Sequence, residues 1–432
     1  MSLGNTLKTF PKPLKAVFDF SPLMMNPNTM RRIDYWAGIP ICFFLTVIYR
    51  IQRLFGLKNP RFEQKPKNVL FIELAEMGST VLAYPSIKRL KKLYPNSNAY
   101  FLLFSHIRQS MDIIGAIPED NIFTIDSSSI FSLAIDTLKF MWSSRKKGIG
   151  TAINLEMFAR YSTILGYLSG ARKRVGFHRY HQEGLYIGSF LTHKVIYNPH
   201  IHTAHSFLAL VEALAAPKRQ VPLVKVPIGK EKLEIPKIMS DKKAIANIWG
   251  ILQGINPEIN SRKKLVIVNP NASKLISIRK WPLDYYAQLI KKLLHDKDVY
   301  VVITGVNSEK PDAQYICNFV KDKRVLDTAG KTNLRELLDL FNIGDILITN
   351  DSGPAHFASL TNIHIVVFFG PETPKLYKPL TENCTVLYSN FACSPCVSAY
   401  NQRLSPCNNN LCLKGISADY AYNAVKEILY KR

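Results

Sequence analysis

Short apolar runs alternate with helix-periodic stretches twice along this chain, and that repeated alternation limits the fold more than any other feature. In the first round, Asn68–Leu74 is an apolar run bounded by a glycine-containing turn. Pro85–Leu93 then has helical spacing and Ala99–Phe104 is a second run, with further strand candidates at Asn121–Ile125, Thr151–Leu155 and Ala171–Phe177 and a helix at His202–Ala216. In the second round, strands are expected at Lys264–Asn269, Val299–Thr304, Asp345–Thr349 and Ile363–Phe369, with helices at Trp281–His295 and Thr332–Phe341. Strand–helix–strand units of this length build parallel, doubly wound sheets. Prolines 217, 222, 227 and 236 mark the junction between the rounds. The expectation is an α/β protein of two Rossmann-like domains, with a cleft between the C-terminal edges of their sheets. The boundaries read as a leader (1–60), a first domain (61–230), a linker (231–262), a second domain (263–385) and a Cys-rich loop with a C-terminal helix (386–432).

A length of 432 residues suits that division. With 47% apolar and 20% charged residues the chain is globular in composition, which excludes wholesale disorder. No apolar run reaches the roughly 20 residues of a spanning helix, which excludes a polytopic membrane protein. The 56 Lys and Arg against 32 Asp and Glu leave a net charge of +24, a field that favours anionic partners. Nucleic acid is not expected among them, because the 20 tyrosines are not interleaved with cations as in an RNA-recognition module.

The leader carries eight Lys and Arg against two Asp. Its Tyr35–Tyr49 segment is apolar and aromatic, broken by Pro40 and flanked by Arg31, Arg32, Arg50 and Arg53. Two uses fit: an anchor lying in a membrane interface with arginines on anionic headgroups, or a helix buried against the first domain. A cleaved signal peptide does not fit, since the run starts late and no small-residue cleavage site follows it.

Three loops carry candidate chemistry. In Ile348–Leu360 a strand ends in Asn350-Asp351-Ser352-Gly353, and Pro354 sits where a helix would begin. Asp351 or Ser352 can cap that helix, Gly353 permits close approach, and free amides there suit a phosphate. After the domain's first strand, Asn269–Pro282 offers Asn271 and Ser273, then Arg279 and Lys280 beside Trp281. Gly330-Lys331-Thr332 looks like the end of a nucleotide-binding P-loop but lacks the earlier glycine, so an NTPase loop is rejected.

Together with Asn68–Leu93, Ala171–Phe177 and Phe369–Pro374, these segments resemble glycosyltransferase family 9, the heptosyltransferases of lipopolysaccharide core assembly. The resemblance covers roughly residues 67–430. It implies a GT-B fold, with an N-terminal acceptor domain, a C-terminal nucleotide-sugar domain and an inverting, metal-independent transfer, commonly from ADP-L-glycero-D-manno-heptose. By that match Asp351, Ser352, Gly353, Pro354 and His356 hold the donor, Asn271, Ser273 and Lys280 meet it from the opposite loop, and Thr332 lies near the nucleotide. Lys280 and helix-end amides would stabilise the departing diphosphate, so no catalytic cofactor is needed. The acceptor would be an anionic, lipid-linked glycan, met at the cytoplasmic face of a bacterial inner membrane.

Two departures stand out. Where the family's first turn reads Gly-Asp, with that Asp the presumed base, this chain has Glu76-Met77-Gly78-Ser79. A serine hydroxyl is too weak a base, so Glu76 is the first candidate, with another carboxylate, a changed mechanism or an inactive site as alternatives. An inactive site would leave a scaffold that binds nucleotide-sugar or glycolipid. Secondly, Cys393, Cys396, Cys407 and Cys412 form C-x2-C and C-x4-C pairs ten residues apart. Four thiols suit a structural zinc site or two disulfides, or they stay free.

Overall fold

A computed structural model describes residues 25–56, 65–180, 183–217, 220–229 and 233–430. Residues 1–24 and 57–60 of the leader, 61–64 and 230 of the first domain and 231–232 of the linker lie outside that set.

The leader's described part is two nearly continuous helices, α1 (Pro27–Trp36) and α2 (Gly38–Leu54). The first sheet contains β1 (Asn68–Ile72), β2 (Asn98–Phe104), β3 (Ile122–Ile125), β4 (Thr151–Asn154), β5 (Lys173–Phe177) and β6 (His193–Val195), in the order β3-β2-β1-β4-β5-β6. Its helices are α3 (Met77–Leu93), α4 (Arg108–Ile114), α5 (Ile130–Lys146), α6 (Arg160–Leu168) and α7 (Thr203–Glu212). After α8 (Lys242–Gln253) the second sheet contains β7 (Lys264–Asn269), β8 (Val299–Ile303), β9 (Val325–Asp327), β10 (Ile346–Asn350), β11 (His364–Phe369) and β12 (Cys384–Tyr388), in the order β12-β11-β10-β7-β8-β9. Helices α9 (Leu283–Leu293), α10 (Lys310–Val320), α11 (Leu334–Ile343), α12 (Gly353–Ala358), α13 (Pro374–Tyr377), α14 (Leu411–Lys414) and α15 (Ala418–Tyr430) complete that half.

All strand pairs are parallel. The central strands are buried on both faces, which is why they read as unbroken apolar runs rather than alternating ones. Each sheet has a point where the strand order reverses, between β1 and β4 in the first and between β10 and β7 in the second. The loops leaving neighbouring strands diverge there and open a crevice. The segment 231–262, read as a linker, is largely tied to the second half. Lys237 Nζ donates to the carbonyls of Ser359 and Thr361, Ile238 N donates to Leu360 O at 2.7 Å, and α8 packs on α11.

Several local expectations need correction. The first helix begins at Met77, not Pro85, so Met77, Gly78 and Ser79 form its opening turn rather than a loop, and Pro85 sits inside it. Pro40 lies in the first turn of α2, where its missing N–H costs nothing, so it starts a helix instead of breaking one. The two leader helices together, Pro27–Leu54, are long and apolar enough to cross a membrane by length and composition, which the sequence run alone did not reach.

The leader helices dock on the first domain through a polar contact at Asp34 and an apolar cluster of Cys42 and Tyr49 with Ile164 and Phe190. Asp34 accepts hydrogen bonds from the Arg160 and Tyr161 amides at 3.1 and 2.9 Å, capping α6 from another helix, and pairs with the buried Arg160 guanidinium at 2.9 Å. Gly38 sits against Arg160, and a Cβ there would stand 2.9 Å from Arg160 Cδ. Helix α2 buries Gly38, Cys42, Thr46 and Tyr49, while Phe43, Phe44, Val47, Ile48 and Ile51 on its other faces stay exposed. Its basic neighbour Arg174 is not solvated: it lies between the Tyr49 and Tyr167 rings and donates to the carbonyls of Ala171 and Phe190.

Candidate active site

The two crevices face each other. Helix α3 leaves β1 and packs directly on α12, which leaves β10. The contact is close because residue 78 has no side chain: a Cβ on Gly78 would come within 2.7 Å of His356 Cδ2. The halves of the molecule therefore meet where α3 and α12 begin.

On the first-domain side three carboxylates gather where β1 and β4 end. Glu76 accepts a hydrogen bond from Ser79 Oγ at 2.9 Å and is ion-paired with Arg403. Glu156 accepts from the Leu74 amide at 2.9 Å. Glu73 is buried, and burial with Glu156 nearby pushes its carboxyl well above the usual carboxylate range, against the pull of Arg403. Burial raises Glu156 as well. Arg403 arrives from the Cys-rich loop of the other half. It donates to the Tyr377 hydroxyl at 2.8 Å and stacks on that ring, and burial brings its guanidinium down to about 10. Gln402 and Arg403 both hold left-handed φ values of +53° and +56°, a costly pair of conformations at the point where the guanidinium is presented.

On the second-domain side Asn350 fixes the loop geometry. Its side chain accepts from Trp281 N and donates to the carbonyls of Pro270 and Asn271, so the β7 and β10 loops are locked together. Asp351 is buried and paired with Arg279 at 3.2 Å; burial raises its carboxyl and Arg279 opposes that rise. Lys280 Nζ donates to Asn271 Oδ1 and Asp312 Oδ2, both at 2.8 Å. Ser352 occupies the N-cap position of α12, yet its hydroxyl donates back to the Asn350 carbonyl instead of capping. Gly353 and Pro354 open that six-residue helix, and His356 is buried within it. Burial, with His202 and Arg279 adding, depresses His356 to about 3.

Four buried polar atoms in these loops have no partner: Asn271 Nδ2, Arg279 Nε, His356 Nδ1 and Glu372 Oε1. Native interiors rarely leave such atoms unpaired. Six more such atoms lie elsewhere among the described residues, but these four sit on the segments after β7, β10 and β11 and leave hydrogen-bonding capacity there for a polar ligand. Burial and the neighbouring Asp351 push Glu372 well above the usual carboxylate range.

The residues expected at the site divide as follows. Asn271, Lys280, Asp351, Ser352, Gly353, Pro354 and His356 come together at the β7–β10 crevice. Ser273 faces the other half, lining one cavity with Glu76, Ser79 and Arg403. Thr332 stands in the β9–α11 turn, two strands from β7. Sequence reasoning missed Arg403 and Glu372, although Glu372 lay inside a quoted marker segment. For Arg403 the sequence gives no signal, because only the fold brings residue 403 to residue 76.

The four C-terminal thiols converge but do not fit the zinc expectation. Burial raises the Cys412 thiol, and Cys396, Cys393 and Cys407 are near enough to raise it further. Among the described residues no group of three or more His, Cys, Asp or Glu is arranged to hold a metal, and all seven cysteines are free thiols.

The family description "Glycosyltransferase family 9 (heptosyltransferase)" matches residues 151–405. Lipooligosaccharide heptosyltransferase 2 of Campylobacter jejuni is 27% identical over 178 residues, 40% of this chain and 54% of that protein. The chain therefore spans about half the length of that relative. Lipopolysaccharide core heptosyltransferase OpsX of Haemophilus influenzae is 21% identical over 324 residues, 73% of this chain and 82% of that protein. Among solved structures, E. coli ADP-heptose lps heptosyltransferase II superposes with a TM-score of 0.65 at 17% identity, covering 84% of this chain and 99% of that one. E. coli heptosyltransferase WaaC with ADP superposes at 0.57 and 13% identity, over 84% and 99%. At those identities the likeness fixes the fold: two facing Rossmann-like halves of the GT-B kind.

Proposed function

The chain belongs to glycosyltransferase family 9, and on that premise we propose that it moves a heptose or related sugar from an ADP-sugar to a lipid-linked glycan of the lipopolysaccharide-core kind. The observation that carries this reading is the set of unpartnered buried atoms around Asp351, which calls for a polar ligand, facing a carboxylate cluster across a closed interface. The diphosphate would lie at the opening of α12, with Arg279 and Lys280 beside it and Lys280 exchanging Asp312 for a phosphate oxygen. Thr332 would reach the nucleotide from the next turn. The acceptor oxygen attacks the anomeric carbon, the bond to the diphosphate breaks with its electron pair going to the nucleotide, and Glu76 takes the acceptor proton on the opposite face. That geometry is an inverting displacement, and the three cations Arg279, Lys280 and Arg403 supply the charge that a metal ion supplies elsewhere. The α3–α12 contact excludes water during transfer.

Glu76 accepts a proton poorly while Arg403 holds it. Donor binding would draw Arg403 towards the diphosphate and free the carboxylate. The exposed apolar faces of α1 and α2, with their arginines, support a peripheral seat on the cytoplasmic face of an inner membrane.

The test is ADP release with mass detection of the glycosylated acceptor, using wild type and Glu76→Gln. A positioned base contributes about 10²–10⁴-fold, so the variant should lose at least about 10² in kcat with ADP-sugar binding retained. A near wild-type rate removes Glu76 from the role. The Arg403–Glu76 pair favours a second reading, a scaffold that binds the ADP-sugar without transfer. ADP-sugar binding without ADP release in any acceptor mixture would select it.

A further inference from the structure

A cavity of about 690 Å³ lies beneath the leader helices and continues to the carboxylate cluster. Its walls differ in character. Met30, Ile33, Ile41, Leu133, Leu138 and Ile164, from α1, α2, α5 and α6, make one side, and Glu73, Glu76, Glu156 and Arg403 make the other. The volume is that of a small-molecule site, and the side made by these helices is mainly apolar, with Arg31, Asp34, Thr137 and Tyr161 among its polar members. Ile41, Ile130 and Leu138 line this cavity and are also exposed, so part of the apolar lining reaches the surface. That surface continues as Phe43, Phe44 and Val47 on α2 and Phe131 and Trp142 on α5, with Lys146 over the Trp142 ring and Arg145 and Lys147 beside it. Exposed aromatics on two helices with cations at their ends suit a bilayer interface, so a hydrocarbon chain can pass from bilayer to cavity without crossing water.

We propose that this cavity seats the hydrocarbon chain of an amphiphile whose sugar or phosphate head lies at Glu76, Ser79 and Arg403. Assigning that amphiphile as the glycosyl acceptor rests on the transfer reading above; the seat itself does not. An amphiphile held this way keeps its apolar part within one cavity length of the reacting hydroxyl, so acceptors would be recognised by chain as well as by sugar. Residues 1–24, which precede α1, are the competing occupant.

Alkyl maltosides of six, eight and ten carbons, each below its micellar concentration, provide the probe, with maltose as the chainless control. Calorimetry on the full chain should show affinity rising roughly threefold to fourfold per added methylene, and no comparable binding of maltose. A decyl maltoside with a diazirine at the chain end should label α1, α5 or α6 residues inside the cavity. Ala134→Trp, which narrows the cavity from α5, should weaken decyl maltoside at least tenfold while the thermal shift by ADP, which reports an intact fold, persists. Affinity indifferent to chain length, labels confined to Phe43, Phe44 and Trp142, or an unlabelled cavity because residues 1–24 fill it would each overturn the proposal. Maltoside binding with no ADP release under any condition would sink the transfer reading and leave the seat standing.

Discussion

His356 lies between Gly78 of one half and Arg279 of the other, buried and depressed to about 3. An unfolded histidine titrates near 6.5, so the unfolded chain binds more protons than the folded one between those values, and stability falls as pH drops through that window. Replacing His356 with Gln should shrink the loss between pH 7.5 and 5 by about 2 kcal/mol, read as the difference between the denaturation curves of the two proteins. An unchanged pH dependence would place the ring in water. His202, depressed to about 4 mainly by burial, works in the same direction. Arg403 makes the complementary case. Arg403→Ala leaves Glu73 and Glu76 without their cation, so unfolding should cost roughly 2–3 kcal/mol less and the acid limb of the pH–rate profile should move upward. The same profile in both proteins would mean that Arg403 does not touch the base. At this scale legibility followed sequence proximity. Asn271, Lys280, Asp351 and His356 sit in short polar loops after strands and were readable, whereas Arg403 and the Asp34–Arg160 pair join residues more than a hundred positions apart.

Among the elements, the long apolar strands were legible because parallel sheets bury both faces. The edge strands β6 and β9 carry only three residues each, too few to show a pattern, and the five residues of β12 are mostly half-buried, so they lack the fully buried character of the central strands. Helix α5 was missed for a physical reason: Ile130, Phe131, Leu138 and Trp142 are exposed, so its apolar positions do not mark a single core-facing stripe. The start of α3 was misjudged because Glu76 has no capping hydrogen bond and Pro85 reads as a helix start. The Gly78–His356 approach gives this element a direct test. Gly78→Val forces a side chain into space that His356 occupies, at about 1–3 kcal/mol of overpacking. It should push α3 from α12, raise the radius of gyration in solution scattering and cut transfer at least tenfold. An unchanged radius and rate would show that the halves do not close through this contact. The Cys-rich loop contributes Arg403, and the convergence of its thiols around Cys412 holds no assigned chemistry.

For the whole molecule, two facing domains followed from the repeated strand–helix alternation, while their contact did not, since Gly78 with His356 and Glu76 with Arg403 join residues from separate rounds. The leader docks on the first domain through the Asp34–Arg160 pair, the Gly38 contact and an apolar cluster of Cys42 and Tyr49 with Ile164 and Phe190, and its other faces leave Phe43, Phe44 and Val47 exposed. With a net charge of +24, vesicles of anionic lipid should bind the protein well in low salt and several-fold less at 0.5 M, while an apolar contribution persists. Complete loss of binding at high salt would deny the helices any inserted role. The central claim concerns the crevice between β7 and β10. Its most direct measurement is a crystal structure of the protein with an unreactive ADP-sugar. The expected density places the diphosphate between the Asn271–Lys280 loop and the start of α12, giving partners to Arg279 Nε and His356 Nδ1. A diphosphate bound elsewhere, with those atoms still unpaired, would contradict it.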